Sequence, residues 1–147
     1  MSGSPWLPTG LVFVHVLSVI VWIGSILSVG ALLAAAGKDG HDAKGFAASA
    51  VFVYRRLAAP AFLVAFLAGV GRLALDAGTY MHAHWFHGKL TMALIVIVLH
   101  HVIGALAKKA HTGSMQSAKS GGILFLALLC ASTLTVLLVL FKAALVP

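Results

Sequence analysis

The residues of this sequence best suited to chemistry are histidines. Eight occur in 147 residues, and four of them lie inside or at the edge of long apolar runs: His15, His87, His100 and His101. Ionisable side chains in membrane-crossing segments are costly, and they usually serve a function. A neutral imidazole is a good axial ligand for haem iron, and a flat macrocycle fits between the helices of a bundle. These histidines are therefore candidate haem and metal ligands.

Helical spacing places two of the four on one face. Fourteen residues at about 100° each bring His101 back to within about 40° of His87, and about 21 Å further along the helix axis. His100 points well away from that face. Two histidines at different depths on one helix are the arrangement with which b-type cytochromes hold two stacked haems. Spacing alone thus selects His101 rather than His100 as a ligand.

The first apolar run offers a partner for His87. His15 lies about one helical turn into that run, and His87 begins the third run on the same predicted side of the membrane. The two imidazoles are expected to face each other across a space of haem width, with Lys89 close enough to meet a propionate. One haem b is predicted here. A second haem, at His101, needs an unusual ligand, a five-coordinate iron or a partner subunit.

Each of these residues also has a simpler interpretation. A buried histidine can form a hydrogen bond across a helix interface, which is worth about 1 kcal/mol, and this is the preferred interpretation of His100. Trp22 suits packing. Arg55 and Arg56 suit anchoring at lipid headgroups, and Lys89 suits an interfacial position. The other histidines are predicted to be solvated loop residues: His41, His82, His84 and His111.

The composition is that of a membrane protein. Hydrophobic residues make up 61% of the chain, only three residues are acidic, and the net charge is +7. A water-facing surface needs far more charge than this. The basic residues are scattered between apolar runs with no aromatic-interleaved basic face, so we expect no nucleic-acid partner. A single cysteine, Cys130, excludes an intrachain disulfide and a CxxCH haem attachment site.

Four apolar runs are long enough to cross a bilayer, which takes about 20 residues. The predicted spans are about 11–36, 46–75, 85–109 and 121–145, and they form one all-α, four-transmembrane-helix bundle over residues 1–147. The segment 46–56 extends the second span, with Pro60 kinking the join, or forms a separate interfacial helix. Small residues on the spans suit close helix packing: Gly24, Gly30, Gly69, Gly71 and Gly104.

Loop charge predicts the orientation. Lysines and arginines concentrate around residues 38–56 and 108–119, and none lies before Gly37. Because basic loops stay in the cytoplasm, we expect both termini outside and a multi-pass protein of the inner (cytoplasmic) membrane. The uncharged N-terminus lacks the basic region of a cleavable signal peptide, so the first span is predicted to stay in the mature protein.

Three stretches resemble the HemJ family of membrane protoporphyrinogen oxidases and their CopD-type relatives: "HVLSVIVWIG" (15–24), "YRRLAAPA" (54–61) and "WFHGKL…LHHVIG" (85–104). The family has a first-helix His followed by Trp, an R-R-L before Pro-Ala, a W-x-H-x-K-L motif, and a histidine thirteen positions later. The matching residues here are His15, Trp22, Arg55, Arg56, Pro60, Ala61, Trp85, His87, Lys89, Leu90 and His100.

The resemblance implies a membrane bundle that binds haem b and oxidises protoporphyrinogen IX, passing electrons to quinone or the respiratory chain. It implies cofactor-binding roles for His15, His87 and Trp22, and it selects His100 where spacing selects His101. The residues expected to act in catalysis are Lys89, Arg55, Arg56 and His100. The chain has "SILSVGALL" where the family has L-P-R-L, and "KSGGILF" where it has N-E-x-P.

Two other functions remain open at this point. One is copper handling of the CopD kind, although Cu(I) prefers thioether and thiolate ligands and this chain has four methionines and one cysteine. The other is a membrane anchor whose haem relays electrons for a soluble partner, as a homo-oligomer or within a respiratory complex. Both leave the lipid bilayer as the common partner.

Overall fold

The computed structural model describes residues 6–38 and 42–141, and all regular structure within these ranges is helical. Four helices are long and apolar enough to cross a membrane: α1 (Trp6–Ala36), α2 (Ala43–Leu75), α4 (His84–His111) and α5 (Gly121–Leu140). A short helix, α3 (Ala77–Met81), precedes α4, and a 3₁₀ turn, Met115–Ala118, precedes α5. The predicted all-α four-helix membrane bundle is confirmed.

The helix ends differ from the predicted spans by a few residues. The helix α1 begins at Trp6 rather than residue 11, and α2 begins at Ala43 rather than 46. The helix α4 runs from His84 to His111 instead of 85–109. The last helix ends at Leu140, and positions 142–145 of the fourth predicted span lie outside the described residues. The apolar runs therefore gave the hydrocarbon-crossing parts, whereas the helices continue into more polar sequence at their ends.

The helix α2 is continuous, so a separate interfacial helix at 46–56 is wrong. It begins after Asp42, whose carboxylate accepts a hydrogen bond from the Gly45 backbone N–H at 3.0 Å. The segments Ala43–Val53 and Ala59–Leu75 are α-helical and are joined by a π-helical turn at Tyr54–Ala58. Pro60 lacks an N–H and its ring would strike the carbonyl four residues earlier, so a wider turn before it relieves the clash.

The first helix is the centre of the bundle, because α1 packs against α2, α4 and α5. Its buried side chains include Ile26, Val29 and Leu33, which pack with Ile103 of α4 and Leu128 of α5 in one core. The start of α1 and the end of α5 lie at one end of the bundle, here the N-terminal end. The end of α1, the start of α2 and the connection 112–120 lie at the opposite end, here the loop end.

The small residues on the spans differ in what surrounds them. A side chain at Gly30 would meet Phe125 at 3.3 Å, so this glycine does allow close packing of α5 on α1. Gly24 faces open space, and the packing role predicted for it is wrong. Gly121 marks a close approach of the α5 backbone to the α1 backbone, because a Cβ there would lie 2.5 Å from the backbone nitrogen of Ala34.

We expect Gly121→Ala to destabilise the bundle by about 1–3 kcal/mol, because the backbone of α1 cannot move aside for the added methyl group. Gly122→Ala is the matched control: its Cβ would meet only Ala34 Cβ at 3.9 Å. Thermal unfolding in detergent measures both variants. Equal unfolding temperatures for the two would contradict the close approach of α5 to α1.

Candidate functional site

A buried cluster of four rings joins three helices near the middle of the bundle. It consists of Trp22, Tyr54, Phe62 and His100, here the aromatic cluster. The His100 side chain is only 1% exposed. Its ring stacks on Phe62 at 4.9 Å between centroids and lies 5.2 Å from Tyr54. The Trp22 indole Nε1–H donates a hydrogen bond to His100 Nδ1 at 3.1 Å, which links α1 to α4.

This hydrogen bond decides what His100 can do. Indole nitrogen only donates, so His100 Nδ1 must accept, and the proton of the neutral imidazole must lie on Nε2. Neither nitrogen then has a free lone pair for a metal ion. Trp22 is only 7% exposed and its one polar atom is already engaged. The arrangement fits a histidine whose role is to accept the hydrogen bond of a buried indole N–H across a helix interface.

Tyr54 joins the cluster because of the π-turn. In an unbroken α-helix, eight residues would leave Tyr54 about 80° away from Phe62, and one extra residue in the turn brings both to the same side. Gly104 of α4 makes room for the phenol, since a Cβ at that position would overlap the Tyr54 ring. The roles of Tyr54 and Phe62 could not be predicted from the sequence, in which Pro60 was the only signal for the turn.

The neighbouring histidine, His101, is exposed and belongs to a different surface. At helical spacing His87, Leu94, Val98 and His101 form one stripe along α4, and all four are exposed. His101 meets the Phe62 ring of α2 edge-on at 5.6 Å. Through this contact the His101 end of the stripe lies beside α2, and the other members of the stripe are exposed. The structure thus separates the two candidates: His100 faces the core and His101 faces the side of α2.

Between the aromatic cluster and the N-terminal end of the bundle, the helices α2 and α4 diverge. Residues 43–53 of α2 pack against α4, whereas residues 59–75 pack along α1 and hardly contact α4. The space between residues 59–75 of α2 and the helix α4 widens toward the N-terminal end of the bundle. We call this space the α2–α4 gap. Phe66 is 48% exposed on the α2 side and Leu94 is 56% exposed on α4. The gap therefore has apolar side walls and is open to lipid.

His15 of α1 borders this gap, is half-buried, and is held by α2. Its Nδ1–H donates to the Ala65 carbonyl oxygen at 2.8 Å. Gly69 lies against the same ring, and a Cβ there would come within 2.9 Å of His15 Cε1. With the proton on Nδ1, the lone pair of Nε2 is free. Metal-binding histidines in proteins are commonly oriented in this way by a backbone carbonyl.

The remaining predicted residues at the N-terminal end lie on α4. His87 is exposed, and its Nε2–H donates to the Met81 carbonyl oxygen at 2.9 Å, so its Nδ1 lone pair is free. Lys89 is half-buried and close enough to His15 for their charges to interact. The structure therefore gathers His15 and Lys89 at the gap, and puts His87 at the upper end of the stripe.

Arg55 and Arg56 do not belong to this end. Both lie on the π-turn of α2 and are exposed. The loop-type histidines are exposed as well: His82, His84 and His111. His84 is the first residue of α4, and His41 lies outside the described ranges. Within the described part of the chain, no three His, Cys, Asp or Glu side chains gather into a group that could hold a metal ion.

We expect Trp22→Phe to destabilise the protein by about 1–3 kcal/mol, because His100 Nδ1 loses its buried donor. His100→Leu in the same background should then cost less than in the wild type, since the polar atom that needs a partner is gone. A double-mutant cycle on unfolding free energies measures this coupling. His101→Leu is the control and should be additive with Trp22→Phe. An additive His100 cycle would contradict the hydrogen bond.

The described histidines in the spans thus fall into two classes. His100 is enclosed by aromatic rings and has no free lone pair, whereas His15 and His87 each keep one nitrogen available. Only the second class suits coordination of iron or transfer of a proton. Comparison with models of protein families, with curated proteins and with solved structures finds no match to this chain.

Proposed function

We propose that the protein is a haem b-binding membrane redox protein of the HemJ type. In the most specific version it oxidises protoporphyrinogen IX and passes the electrons to quinone or the respiratory chain. The observation that supports this is the state of His15. Its Nδ1–H is fixed to the Ala65 carbonyl, and its Nε2 lone pair is free beside a gap between two membrane helices.

The residues around the gap fit the chemistry of haem b. His15 would hold the iron through Nε2, and His87 would offer Nδ1 as a second ligand. Lys89, whose charge acts on His15, would pair with a propionate. His101 at the lower end of the stripe is the candidate for a second haem. When bound, the iron supplies one-electron transfer at a potential set by its ligands and burial.

The same gap, which is open to lipid, suits a tetrapyrrole substrate that becomes flat only as it is oxidised. Protoporphyrinogen IX loses six electrons and six protons as it becomes aromatic, so an oxidase needs proton acceptors inside the membrane. The described membrane-spanning helices contain no carboxylate that could serve. Histidines must therefore take the protons. His100 is unsuited to this while Trp22 engages its Nδ1, and the nitrogens of His15 and His87 that would bind the iron cannot also accept protons. With one haem bound, we assign the role to His101.

The position of the cysteine sulfur and the presence of haem without substrate turnover distinguish the two alternatives, copper handling and electron relay. Cys130 is exposed on α5, which packs on α1 and α4, so it does not join the histidines of the gap in a copper site. An electron-relay subunit would use the same haem residues without a substrate of its own. Haem in the protein together with no turnover of protoporphyrinogen IX would favour that alternative.

The first test removes a ligand. We expect the wild-type protein from a haem-replete host to show a Soret band, and His15→Ala to lower haem affinity by at least about tenfold because an axial ligand is lost. Pyridine haemochrome content per protein measures the haem. His111→Ala, an exposed histidine at the loop end, is the control. A colourless wild-type protein with iron-replete expression would refute haem binding.

The second test disturbs the ligand without removing it. Gly69→Ala should lower haem affinity by about 10–100-fold, because the added methyl group displaces the His15 ring from its Ala65 hydrogen bond. In Gly71→Ala the new methyl meets only Leu11 at 3.6 Å, an ordinary contact, so this variant should bind haem normally. Absorbance titration with haem gives both affinities. Equal affinities would mean that His15 is not the ligand.

A further inference from the structure

The basic residues are concentrated at one end of the bundle. Seven of the ten lysines and arginines lie there, and every one of the seven is exposed: Lys38, Lys44, Arg55, Arg56, Lys108, Lys109 and Lys119. Five of them belong to helix ends or connections, where water reaches the charge. Arg55 and Arg56 are different, because they lie within a continuous membrane helix.

The depth of this arginine pair follows from helix geometry. Residues 57–75 of α2 cover about 28 Å at 1.5 Å per residue, which is close to the thickness of the hydrocarbon. Arg55 and Arg56 come directly before that segment. Their guanidinium groups therefore lie where the acyl chains meet the phosphates, and the residues from Ala43 onward continue beyond this level.

A third cation from another helix joins them. The Lys108 ammonium of α4 lies over the Tyr54 ring, 5.3 Å from its centroid. Tyr54 is the first residue of the π-turn that carries both arginines, and it is held by His100 and Gly104. The buried phenol thus places the lysine charge at about the level of the arginines along α2. We call Arg55, Arg56 and Lys108 the basic cluster.

No anion within the described chain balances this cluster. Two aspartates are described: Asp42 precedes α2 and caps it, and Asp76 follows its far end. Each is twelve or more residues from the nearer arginine, or about 18 Å or more along the helix. Three uncompensated cations at the edge of the hydrocarbon attract an anion from outside the chain.

We propose that the basic cluster is a binding site for the phosphate headgroup of an anionic phospholipid. Arginine forks pair with phosphate oxygens through two parallel hydrogen bonds, and a lysine adds a point charge. Lipid phosphates are the anions present at this depth, and anionic leaflets attract basic residues close to a span. This proposal is independent of haem binding at the N-terminal end.

The test uses the purified full chain in detergent with added phosphatidylglycerol or phosphatidylcholine of the same acyl chains. Native mass spectrometry counts retained lipid. We expect wild type to retain phosphatidylglycerol preferentially, and Arg55→Gln/Arg56→Gln to weaken that binding by about 30-fold. Lys38→Gln/Lys119→Gln removes the same charge from the same end and should weaken it by less than about threefold.

Two further arms decide the chemistry. Arg55→Lys/Arg56→Lys keeps the charge but loses the two parallel hydrogen bonds that a guanidinium forms, so we expect phosphatidylglycerol binding to weaken by about tenfold. The same variant replaces the glutamine variant if that one fails to fold. Inorganic phosphate added at the same concentration as the lipid should not displace phosphatidylglycerol. The proposal is overturned by equal retention of both lipids in wild type, by equal losses in the two glutamine variants, or by displacement with free phosphate.

Discussion

The hydrogen bond from Trp22 to His100 fixes how the helices of this bundle face one another. A buried indole N–H and a buried imidazole each need a partner, because an unsatisfied polar group in a membrane interior is costly. Satisfying both sets the rotation of α4 about its axis. Once His100 is turned toward α1, helical geometry turns His101 and His87 about 100° and 140° away from that direction, to the exposed side of α4. The candidate cofactor ligands on α4 are therefore exposed as a consequence of a contact in which they take no part.

The two candidate functional regions lie at opposite ends of the bundle and depend on different interactions. At the N-terminal end, α2 and α4 diverge, and histidines with free lone pairs border a gap lined by apolar side chains. At the loop end the same two helices pack together, and basic side chains surround a buried phenol. The aromatic cluster lies at the level where α2 and α4 stop packing against each other and begin to diverge. It closes the α2–α4 gap on the side of the loop end and keeps the parts of α2 and α4 near the loop end together.

The sequence predicted the four membrane helices, because a long apolar run without charge has few stable alternatives in a bilayer. It also predicted that His87 and His101 share a face. It did not decide between His100 and His101, since the rotation of α4 depends on Trp22 more than seventy residues earlier. The carbonyl of Ala65 and the space left by Gly69 were equally inaccessible, because they depend on how α1 lies against α2. The exact helix ends depend on caps and connections, which apolar periodicity does not report.

The π-turn at Tyr54–Ala58 makes α2 one residue longer than a regular helix of the same span. Losing a single residue there would restore α-helical geometry, yet it would swing the entire preceding segment by about 100° around the axis. Tyr54 would leave His100, and the first half of α2 would turn a different face to α4. Insertions and deletions in this turn are thus far more disruptive than substitutions, so the facing of the two halves of α2 depends on the length of the segment before Pro60 rather than on its composition.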